Sequence, residues 1–326
     1  TETMTYNTYG DVVTRQSDGM TTTYSYDGAG RPVSEVSTNG TASYFTYDTM
    51  NRLHTQKENA SSSVWLEKTY AYAGGNVSSV AYESDKGTLG TESFTYANGH
   101  LTGITFGQQS VWTLDEENNM GLASQVTSGL VNSMTYDSAG RLTWQRSVKS
   151  GTTTGIVNYS YSYDNTTGNL HSRNDNIVTG AYEQFTYDAL NRLTGYGNET
   201  VTYATNGNIL TKSDVGTYAY NTTGKPYAVS GLTQNSSCPS LGSQTLSYKM
   251  FNRPATVSDN GTSASFTYNG SHERVAMQVT GGSLNGATRY YLGGDYELDA
   301  MSSQSYSKEK LYLGGVYYSA PAVLVK

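Results

Sequence analysis

A seven-residue motif, Tyr-Asp-x-x-Gly/Asn-Arg-Leu, recurs along the chain and constrains its fold more than any other feature of the sequence. Four copies are nearly intact, and their motif residues are Tyr26, Asp27, Gly30, Arg31, Tyr47, Asp48, Asn51, Arg52, Tyr136, Asp137, Gly140, Arg141, Tyr187, Asp188, Asn191 and Arg192. Looser copies start at Tyr6, Tyr72, Tyr96, Leu114, Tyr163, Tyr203, Tyr220, Tyr248 and Tyr268. The thirteen starts lie 16 to 28 residues apart. A period in this range is the signature of a repeat protein, in which each repeat packs on its neighbours.

Each motif is preceded by the pattern of a short β-strand. The residue two positions before the motif is apolar or aromatic, and the residue between is usually Thr or Ser, as in Phe185-Thr186-Tyr187 and Phe266-Thr267-Tyr268. Alternation with a period of two, carried by aromatic and β-branched residues, indicates a half-buried strand. We therefore expect the rings on one face of each strand and the hydroxyls on the other.

A tight turn is predicted to follow each strand. The fourth residue after the motif start is Gly or Asn in nine repeats, at Gly10, Gly30, Asn51, Asn118, Gly140, Asn191, Gly207, Gly224 and Asn252. Gly and Asn share a tolerance for the left-handed backbone region, so we expect a positive φ there, with His272 in that place in the last repeat. The repeats from Tyr72, Tyr96 and Tyr163 reach their Gly one residue early or late, which indicates other turn lengths. The motif Asp is expected to accept hydrogen bonds from backbone N–H groups two residues on.

Composition bears on how these hairpins assemble. A single hairpin is barely stable in water, so the repeats must pair edge to edge into a long sheet. Hydrophobic residues make up only 36% of the chain even with its 30 tyrosines counted, which favours a single layer over a thick two-layer core. The sequence predicts an all-β chain of tandem hairpins that form a long spiralling sheet, a strip or hollow shell rather than a sandwich.

Charge and cysteine content exclude several classes of protein. The net charge is −7 and no Lys/Arg cluster is present, which argues against a nucleic-acid partner. No apolar run approaches the roughly 18 residues of a membrane span. The lone Cys238 excludes a disulfide framework. No signal peptide is visible and the chain starts at Thr1, so we expect it to be part of a longer chain.

Three regions depart from the regular repeat. The motif decays between residues 61 and 132, and a longer exposed loop is expected at 230–243. After about residue 285, Tyr291-Leu292-Gly293-Gly294 is echoed by Tyr312-Leu313-Gly314-Gly315, which we interpret as two longer strands with Gly-Gly kinks. The predicted organisation is therefore a tandem repeat strip over 1–285, followed by Tyr-Leu-Gly-Gly strands over 286–326.

The recurring motif resembles the YD repeat of the RHS family, and the resemblance covers about residues 4–285. The paired Tyr-Leu-Gly-Gly segments also resemble what lies between the last repeats and the RHS core in many bacterial members. The resemblance implies a β-strip that winds into a hollow cocoon, as in bacterial polymorphic-toxin RHS proteins, toxin-complex cocoon subunits and teneurin YD shells. Family members often release a C-terminal segment by self-cleavage in the core. This chain has no Asp-Pro-x-Gly motif, so that chemistry is carried onto none of its residues.

The function that this resemblance implies is mechanical. It predicts a non-catalytic shell segment that encloses a C-terminal toxin or effector polypeptide until delivery. The expected partners are that segment and the remaining RHS shell of the parent chain. The expected location is outside a bacterial cell, either secreted or at the cell surface.

No catalytic, cofactor or metal site is predicted, and each candidate has a structural interpretation. The repeated aspartates are interpreted as turn caps rather than as a carboxylate array. The histidines lie on different repeats at no metal-ligand spacing, at His54, His100, His171 and His272. Asp115-Glu116-Glu117 is interpreted as solvated turn surface. Cys238 lies in a loop with nothing nearby to lower its pKa.

Two other functions stay open at this point. The rows of tyrosines are interpreted as sheet packing, but aromatic faces also stack on sugars. The strip is therefore alternatively an adhesive or carbohydrate-binding module with surface glycans as partners, an idea that rests on analogy with teneurins. An enzyme comes last, because the sequence shows no converging acid and base residues.

Overall fold

The computed structural model describes residues 2–221, 223–236, 238, 244–301 and 307–326. Within these ranges every regular element is a β-strand and no helix occurs, so the predicted all-β fold of tandem hairpins is confirmed. The described residues accordingly contain no helix that could cross a membrane. The chain divides into a first unit of Thr1–Thr113 and Gly242–Lys326 and a second unit of Leu114–Leu241.

The first unit contains two antiparallel sheets. The strands of its first sheet are β1 (Thr3–Tyr6), β2 (Val12–Ser17), β3 (Met20–Tyr26), β4 (Pro32–Ser37), β5 (Ala42–Tyr47), β6 (Leu53–Ser61), β7 (Val64–Ala73), β8 (Asn76–Ser84), β9 (Gly87–Ala97), β10 (His100–Phe106) and β11 (Gln109–Glu117), which ends beyond the unit boundary. The strands of its second sheet are β23 (Gln244–Tyr248), β24 (Pro254–Asp259), β25 (Thr262–Tyr268), β26 (Arg274–Thr280), β27 (Ala287–Leu292), β28 (Tyr296–Met301), β29 (Ser307–Leu313) and β30 (Ala322–Val325). In both sheets each strand pairs with the next along the chain.

The second unit repeats the same hairpin arrangement. Its strands are β12 (Ala123–Ser128), β13 (Leu130–Tyr136), β14 (Leu142–Lys149), β15 (Gly155–Tyr163), β16 (Leu170–Asp175), β17 (Tyr182–Tyr187), β18 (Leu193–Tyr196), β19 (Glu199–Tyr203), β20 (Ile209–Lys212), β21 (Gly216–Tyr220) and β22 (Val229–Gln234). Consecutive strands again pair antiparallel, so each repeat supplies one hairpin and shares a ladder with the next.

A β-bulge recurs immediately before the motif tyrosine. In the β5–β6 ladder Thr46 pairs with Thr55 but Tyr47 pairs with Leu53, so one residue of β6 is left over. The same shift precedes Tyr26, Tyr136, Tyr163, Tyr187, Tyr203, Tyr220, Tyr248 and Tyr268. A bulge increases the local twist and redirects a side chain. The bulge was not predicted, because no residue type marks it.

A hydrophobic core lies between the two sheets of the first unit, which the low apolar content did not lead us to expect. Buried residues of both sheets form one cluster: Ala60, Val64, Leu66, Val80, Tyr82, Leu89, Ile104, Val111, Val275, Leu292, Tyr296, Leu298, Leu311 and Leu313. The prediction of a single layer is thus wrong within this unit. The two longest described strands, β7 and β9, lie where the motif decays, because residues of both strands pack on the second sheet.

Two local predictions need correction. Gly293-Gly294 is the turn of a hairpin, since Leu292 on β27 pairs with Tyr296 on β28, and Gly314 likewise ends β29. These glycines therefore end strands rather than kink them. The loop predicted at 230–243 starts as strand β22, which extends to Gln234; residues 237 and 239–243 lie outside the described residues.

Candidate functional site

The Asp of each intact motif caps its own turn. Asp27 Oδ1 accepts hydrogen bonds from the backbone N–H groups of Ala29 and Arg31 at 2.9 and 3.0 Å. Asp48, Asp137 and Asp188 make the same pair of bonds. Position four of these turns has a positive φ, from +59° to +79° at Gly30, Asn51, Gly140 and Asn191. This geometry agrees with the turn that the sequence predicts.

The motif Arg joins each turn to the next repeat. Arg31 Nε donates to Asp27 Oδ2 at 2.7 Å, and its guanidinium carbon lies 4.4 Å from the centre of the Tyr47 ring. Matching contacts of 4.2, 4.8 and 4.5 Å join Arg52 to Tyr72, Arg141 to Tyr163 and Arg192 to Tyr203. These contacts were not predicted, although the fixed spacing of Asp and Arg was a signal that the two side chains meet.

The motif Tyr also bonds back to the preceding repeat. The Tyr47 hydroxyl donates to the carbonyl oxygen of Pro32 at 2.9 Å, and the Tyr72 hydroxyl donates to that of Leu53 at 2.7 Å. The equivalent bond is made by Tyr26, Tyr136, Tyr163, Tyr203, Tyr220 and Tyr268. We call the Asp and Arg of one repeat, together with the Tyr of the next, the clasp.

The clasp carboxylates are held in their ionised form. The Arg guanidinium is the main cause of the lowered pKa of Asp27 and of Asp188, with backbone N–H groups second. For Asp48 and Asp137 the backbone N–H of the motif Arg is the larger cause of the lowered pKa. A carboxylate with a lowered pKa is a poor base at neutral pH, so this geometry suits a structural joint better than acid–base chemistry.

One repeat lies in a different register from the predicted one. Asn118 was expected at the positive-φ position, but its Oδ1 accepts from the N–H groups of Met120 and Leu122, which is the role of the motif Asp. The positive φ, +73°, falls on Gly121. The repeat therefore starts at Glu117 rather than Leu114. Asn is a suitable residue type for the cap and for the positive-φ position, so the sequence pattern alone was ambiguous here.

A buried polar cluster crosses the core of the first unit. Lys68 Nζ donates to Asp295 Oδ2 at 2.7 Å and to the Gly293 carbonyl at 2.9 Å. The Tyr82 hydroxyl lies 3.1 Å from Glu92 Oε2 and 3.4 Å from Asp295 Oδ2. Burial raises the pKa of both Asp295 and Glu92, although Lys68 opposes the shift at Asp295 and the Gly314 N–H opposes it at Glu92. We call Lys68, Tyr82, Glu92, Asp295 and the two Gly-Gly turns the seam.

Both Gly-Gly turns of the second sheet donate backbone hydrogen bonds to carboxylates of the first sheet. The Gly293 N–H donates to Glu58 Oε2 at 2.8 Å, and the Gly314 N–H donates to Glu92 Oε1 at 2.6 Å. Both glycines have positive φ, and a Cβ at Gly293 would lie 2.6 Å from the Lys68 side chain. The repeated Tyr-Leu-Gly-Gly sequence therefore gives two turns that fit closely against the first sheet.

A second buried group supports the same junction. Glu309 Oε1 accepts hydrogen bonds from Ser84 Oγ at 2.6 Å and from the Tyr296 hydroxyl at 2.8 Å. Burial, followed by the bond to Glu309, raises the pKa of Tyr296. The seam was missed from the sequence, but a signal exists, because Lys68 occupies the period-two positions that Val64, Leu66 and Tyr70 place on the apolar face of β7.

The remaining sequence candidates stay apart. Within the described ranges no three His, Cys, Asp or Glu side chains lie close enough to hold a metal ion. The His272 ring stacks on Phe251, with the centroids 3.8 Å apart, and burial lowers its pKa. Cys238 is a half-exposed free thiol.

Open cavities lie along the described residues. One of about 370 Å³ is lined by Lys249, Phe251 and Tyr268 among others, and one of about 290 Å³ lies beside Asp164 and His171 in the second unit. A third, of about 270 Å³, is lined mainly by tyrosines of the second sheet.

The chain is similar to one family model and, in its fold, to solved structures. A family model described as RHS Repeat matches residues 6–42. The fold is similar over 96% of this chain to a crystal structure of TcdB2-TccC3 without its hypervariable C-terminal region, with a TM-score of 0.65 and 13% identity. It is also similar over 96% of this chain to a Photorhabdus luminescens Tc holotoxin pore with a TccC3 mutation, with a TM-score of 0.51 and 14% identity. This chain spans 22% of each matched chain. None of the curated proteins compared matches it.

Proposed function

We propose that this chain is an RHS/YD-repeat protein and a non-catalytic segment of an RHS-repeat shell that encapsulates and helps deliver a C-terminal toxin or effector polypeptide. The observation that carries the proposal is the clasp, which recurs from repeat to repeat in both units. The fold likeness to TcdB2-TccC3 over 96% of this chain supports it.

The clasp suits a shell that is built by adding repeats to one sheet. Its contacts join only neighbouring repeats, so adding repeats adds joints of the same kind without enlarging a core. Threonine hydroxyls also pair across the strands, as Thr46 with Thr55 at 2.7 Å and Thr202 with Thr211 at 2.6 Å. A sheet face covered by such hydroxyls offers few apolar patches, which suits a surface that lies against unfolded chain without binding it tightly.

The partners and location belong to the same proposal. We propose the chain's own C-terminal toxin or effector segment and the remaining RHS shell as partners, and a secreted or bacterial cell-surface location. We propose further that residues 286–326 lead from the repeat strip of 1–285 toward an RHS core. The share of 22% of the matched chains supports placing this chain within a longer shell.

Limited proteolysis of the natural chain, followed by intact-mass measurement, tests the proposal. We expect a C-terminal segment that is cut from the backbone yet stays bound and resistant to protease until the shell is denatured. If everything beyond the repeats is digested while this strip survives, nothing is enclosed and the proposal fails.

The second candidate function is an adhesive, carbohydrate-binding module. It is favoured by one observation, the cavity on the second sheet whose lining tyrosines include the exposed Tyr317 and Tyr318. The two functions are compatible within one protein, because a shell segment can also carry a binding site.

A further inference from the structure

A groove of about 270 Å³ lies on the second sheet of the first unit, beside the Gly-Gly turns. Four of its lining tyrosines come from β27, β29 and the segment after Gly315, and we call them, with Arg274, the tyrosine groove: Arg274, Tyr291, Tyr312, Tyr317 and Tyr318. The Tyr317 and Tyr318 rings meet edge to face with their centroids 5.0 Å apart, and Tyr312 lies 6.5 Å from Tyr317. The rings therefore present faces at different angles around one space.

Two of the four groove rings, those of Tyr317 and Tyr318, are largely exposed. Tyr317 is 65% exposed and Tyr318 is 77% exposed, whereas Tyr296, which also lines the groove, is 2% exposed. Tyrosine rings are suited to exposed binding surfaces because they offer an apolar face, a polar tip and little rotamer freedom to lose. Flat apolar faces that stand near polar groups fit the faces of a pyranose ring, whose C–H groups stack on aromatics while its hydroxyls bond outward.

Most of the charged groups around the groove form ion pairs, but the Arg274 side chain does not. Glu297 lies 3.3 Å from Lys310 Nζ and 3.8 Å from Arg289, and Asp299 is paired with the same two cations. The Arg274 guanidinium carbon lies 4.3 Å from the centre of the Tyr291 ring, and among the described residues no hydrogen bond or ion pair to the Arg274 side chain is found. Stacking fixes the plane of this guanidinium and leaves its N–H edge available to a carboxylate.

We propose that the tyrosine groove binds an acidic sugar, a pyranoside that carries a carboxylate, as in uronic-acid polysaccharides. The pyranose ring stacks on Tyr317 and Tyr318, and the sugar carboxylate accepts a bidentate hydrogen bond from Arg274. The charged residues that line the groove are Arg274 and Glu297. Glu297 is already paired with Lys310 and Arg289, so Arg274 is the lining charge that stays available, which favours an anion over a neutral sugar.

The test uses the whole 326-residue chain and two matched probes, tri-galacturonic acid and its methyl ester, with binding followed by calorimetry and saturation-transfer NMR. We expect saturable binding of the acid and about tenfold weaker binding of the ester, since a hydrogen bond to a charged group contributes roughly that factor. Arg274→Gln should weaken acid binding by about tenfold and abolish the difference between the two probes.

Variants separate the groove from the rest of the surface. Tyr318→Ala removes an exposed ring, so we expect an unchanged fold by circular dichroism and acid binding weakened at least several-fold. Tyr9→Ala, which removes a 90% exposed ring outside the groove, should bind like the parent. The proposal is overturned by absence of saturable binding, by equal binding of acid and ester, or by full binding in Tyr318→Ala. Capture of a proline-rich peptide at these residues without sugar binding also overturns it. None of these outcomes bears on the shell proposal, which the proteolysis experiment tests.

Discussion

At the scale of single residues, the turn of each repeat depends on one backbone angle. Gly28 and Gly30 lie in the same turn and both have open space where a Cβ would be, but only Gly30 has a positive φ, of +79°. In other repeats Asn51 and Asn191 take this position. Because Gly and Asn tolerate the left-handed region better than most other residues, the residue type at this position favours the turn.

Replacing Gly30 and Gly28 separately isolates that angle. We expect Gly30→Ala to lower the free energy of unfolding by about 1–2 kcal/mol, the cost of a left-handed backbone for an L-residue. Gly30→Asn should recover most of the loss, and Gly28→Ala should leave stability unchanged or slightly raised. Urea denaturation measures all three. Equal effects of Gly28→Ala and Gly30→Ala would show that φ does not decide this turn.

The turn could be predicted from sequence because all its determinants lie within five residues. Asp27 caps N–H groups two and four residues on, and Gly30 supplies the angle, so a local pattern suffices. The repeat at Leu114 was placed three residues early for the same reason. Asn118 caps the turn, but Asn is also a residue type that suits the positive-φ position, and a local pattern cannot choose between the two.

At the scale of elements, the clasp joins each hairpin to the next through side chains as well as the ladder. Tyr72 receives the Arg52 guanidinium on its ring face, 4.2 Å from the ring centre, while its hydroxyl donates to Leu53 at 2.7 Å. Arg52 also donates to the Gly74 carbonyl at 2.8 Å in the next turn. The cation–π contact and the hydroxyl hydrogen bond both use the Tyr72 side chain, so each contact helps to position the other.

A double-mutant cycle measures this joint. Tyr72→Phe removes the hydroxyl and leaves the Leu53 carbonyl without that donor, so we expect a loss of about 1 kcal/mol in the free energy of unfolding. Tyr72→Leu should lose roughly 0.5–1 kcal/mol more because the guanidinium loses its aromatic face. That additional loss should disappear in an Arg52→Gln background. Tyr9→Phe, at a 90% exposed site, is the control. Parent-like stability of Tyr72→Phe would show that the hydroxyl bond contributes nothing.

At the scale of the molecule, the seam makes the first unit sensitive to pH. Glu92 is 3% exposed and its carboxyl accepts from the Gly314 N–H and the Tyr82 hydroxyl. Its pKa is raised by burial, so the folded state holds the proton more tightly than the unfolded state does. Stability is therefore greatest below the unfolded pKa of about 4.3 and falls as pH rises through the folded pKa. The clasp aspartates have the opposite sign and lose stability only as pH falls below about 4.

Glu92→Gln tests this dependence because it keeps the shape and an acceptor for the Gly314 N–H. We expect the parent to lose stability as pH rises above the unfolded pKa of about 4.3. The variant should show a smaller loss, with its gain over the parent largest above the folded pKa of Glu92. A residual slope should remain from Asp295, whose pKa is raised by the same cause. Glu83→Gln, on the exposed face of β8, is the control. A slope in Glu92→Gln as steep as the parent's would exclude Glu92 as its source.

The seam could not be predicted from sequence because its partners are far apart along the chain. Glu58 and Gly293 lie 235 positions apart, and Glu92 and Gly314 lie 222 apart, so no local pattern connects them. The low apolar content led to the wrong prediction of a single layer, because an average over 326 residues hides the apolar residues concentrated in β6 to β11 and β26 to β29. The repeated Tyr-Leu-Gly-Gly sequence could be recognised. That its two turns contact the Lys68 side chain and buried carboxylates is known only from the fold.

The same separation has a consequence during synthesis. Lys68 leaves the ribosome 227 residues before Asp295, its partner in the seam. At a translation rate of roughly 5–20 residues per second, this interval lasts roughly 10–45 s. During this interval the second sheet is not yet present, so the apolar face of the first sheet is exposed to water or bound by a chaperone. The moment at which the first unit closes is thus set by how long the intervening residues take to translate, and not by the strength of the contacts that close it.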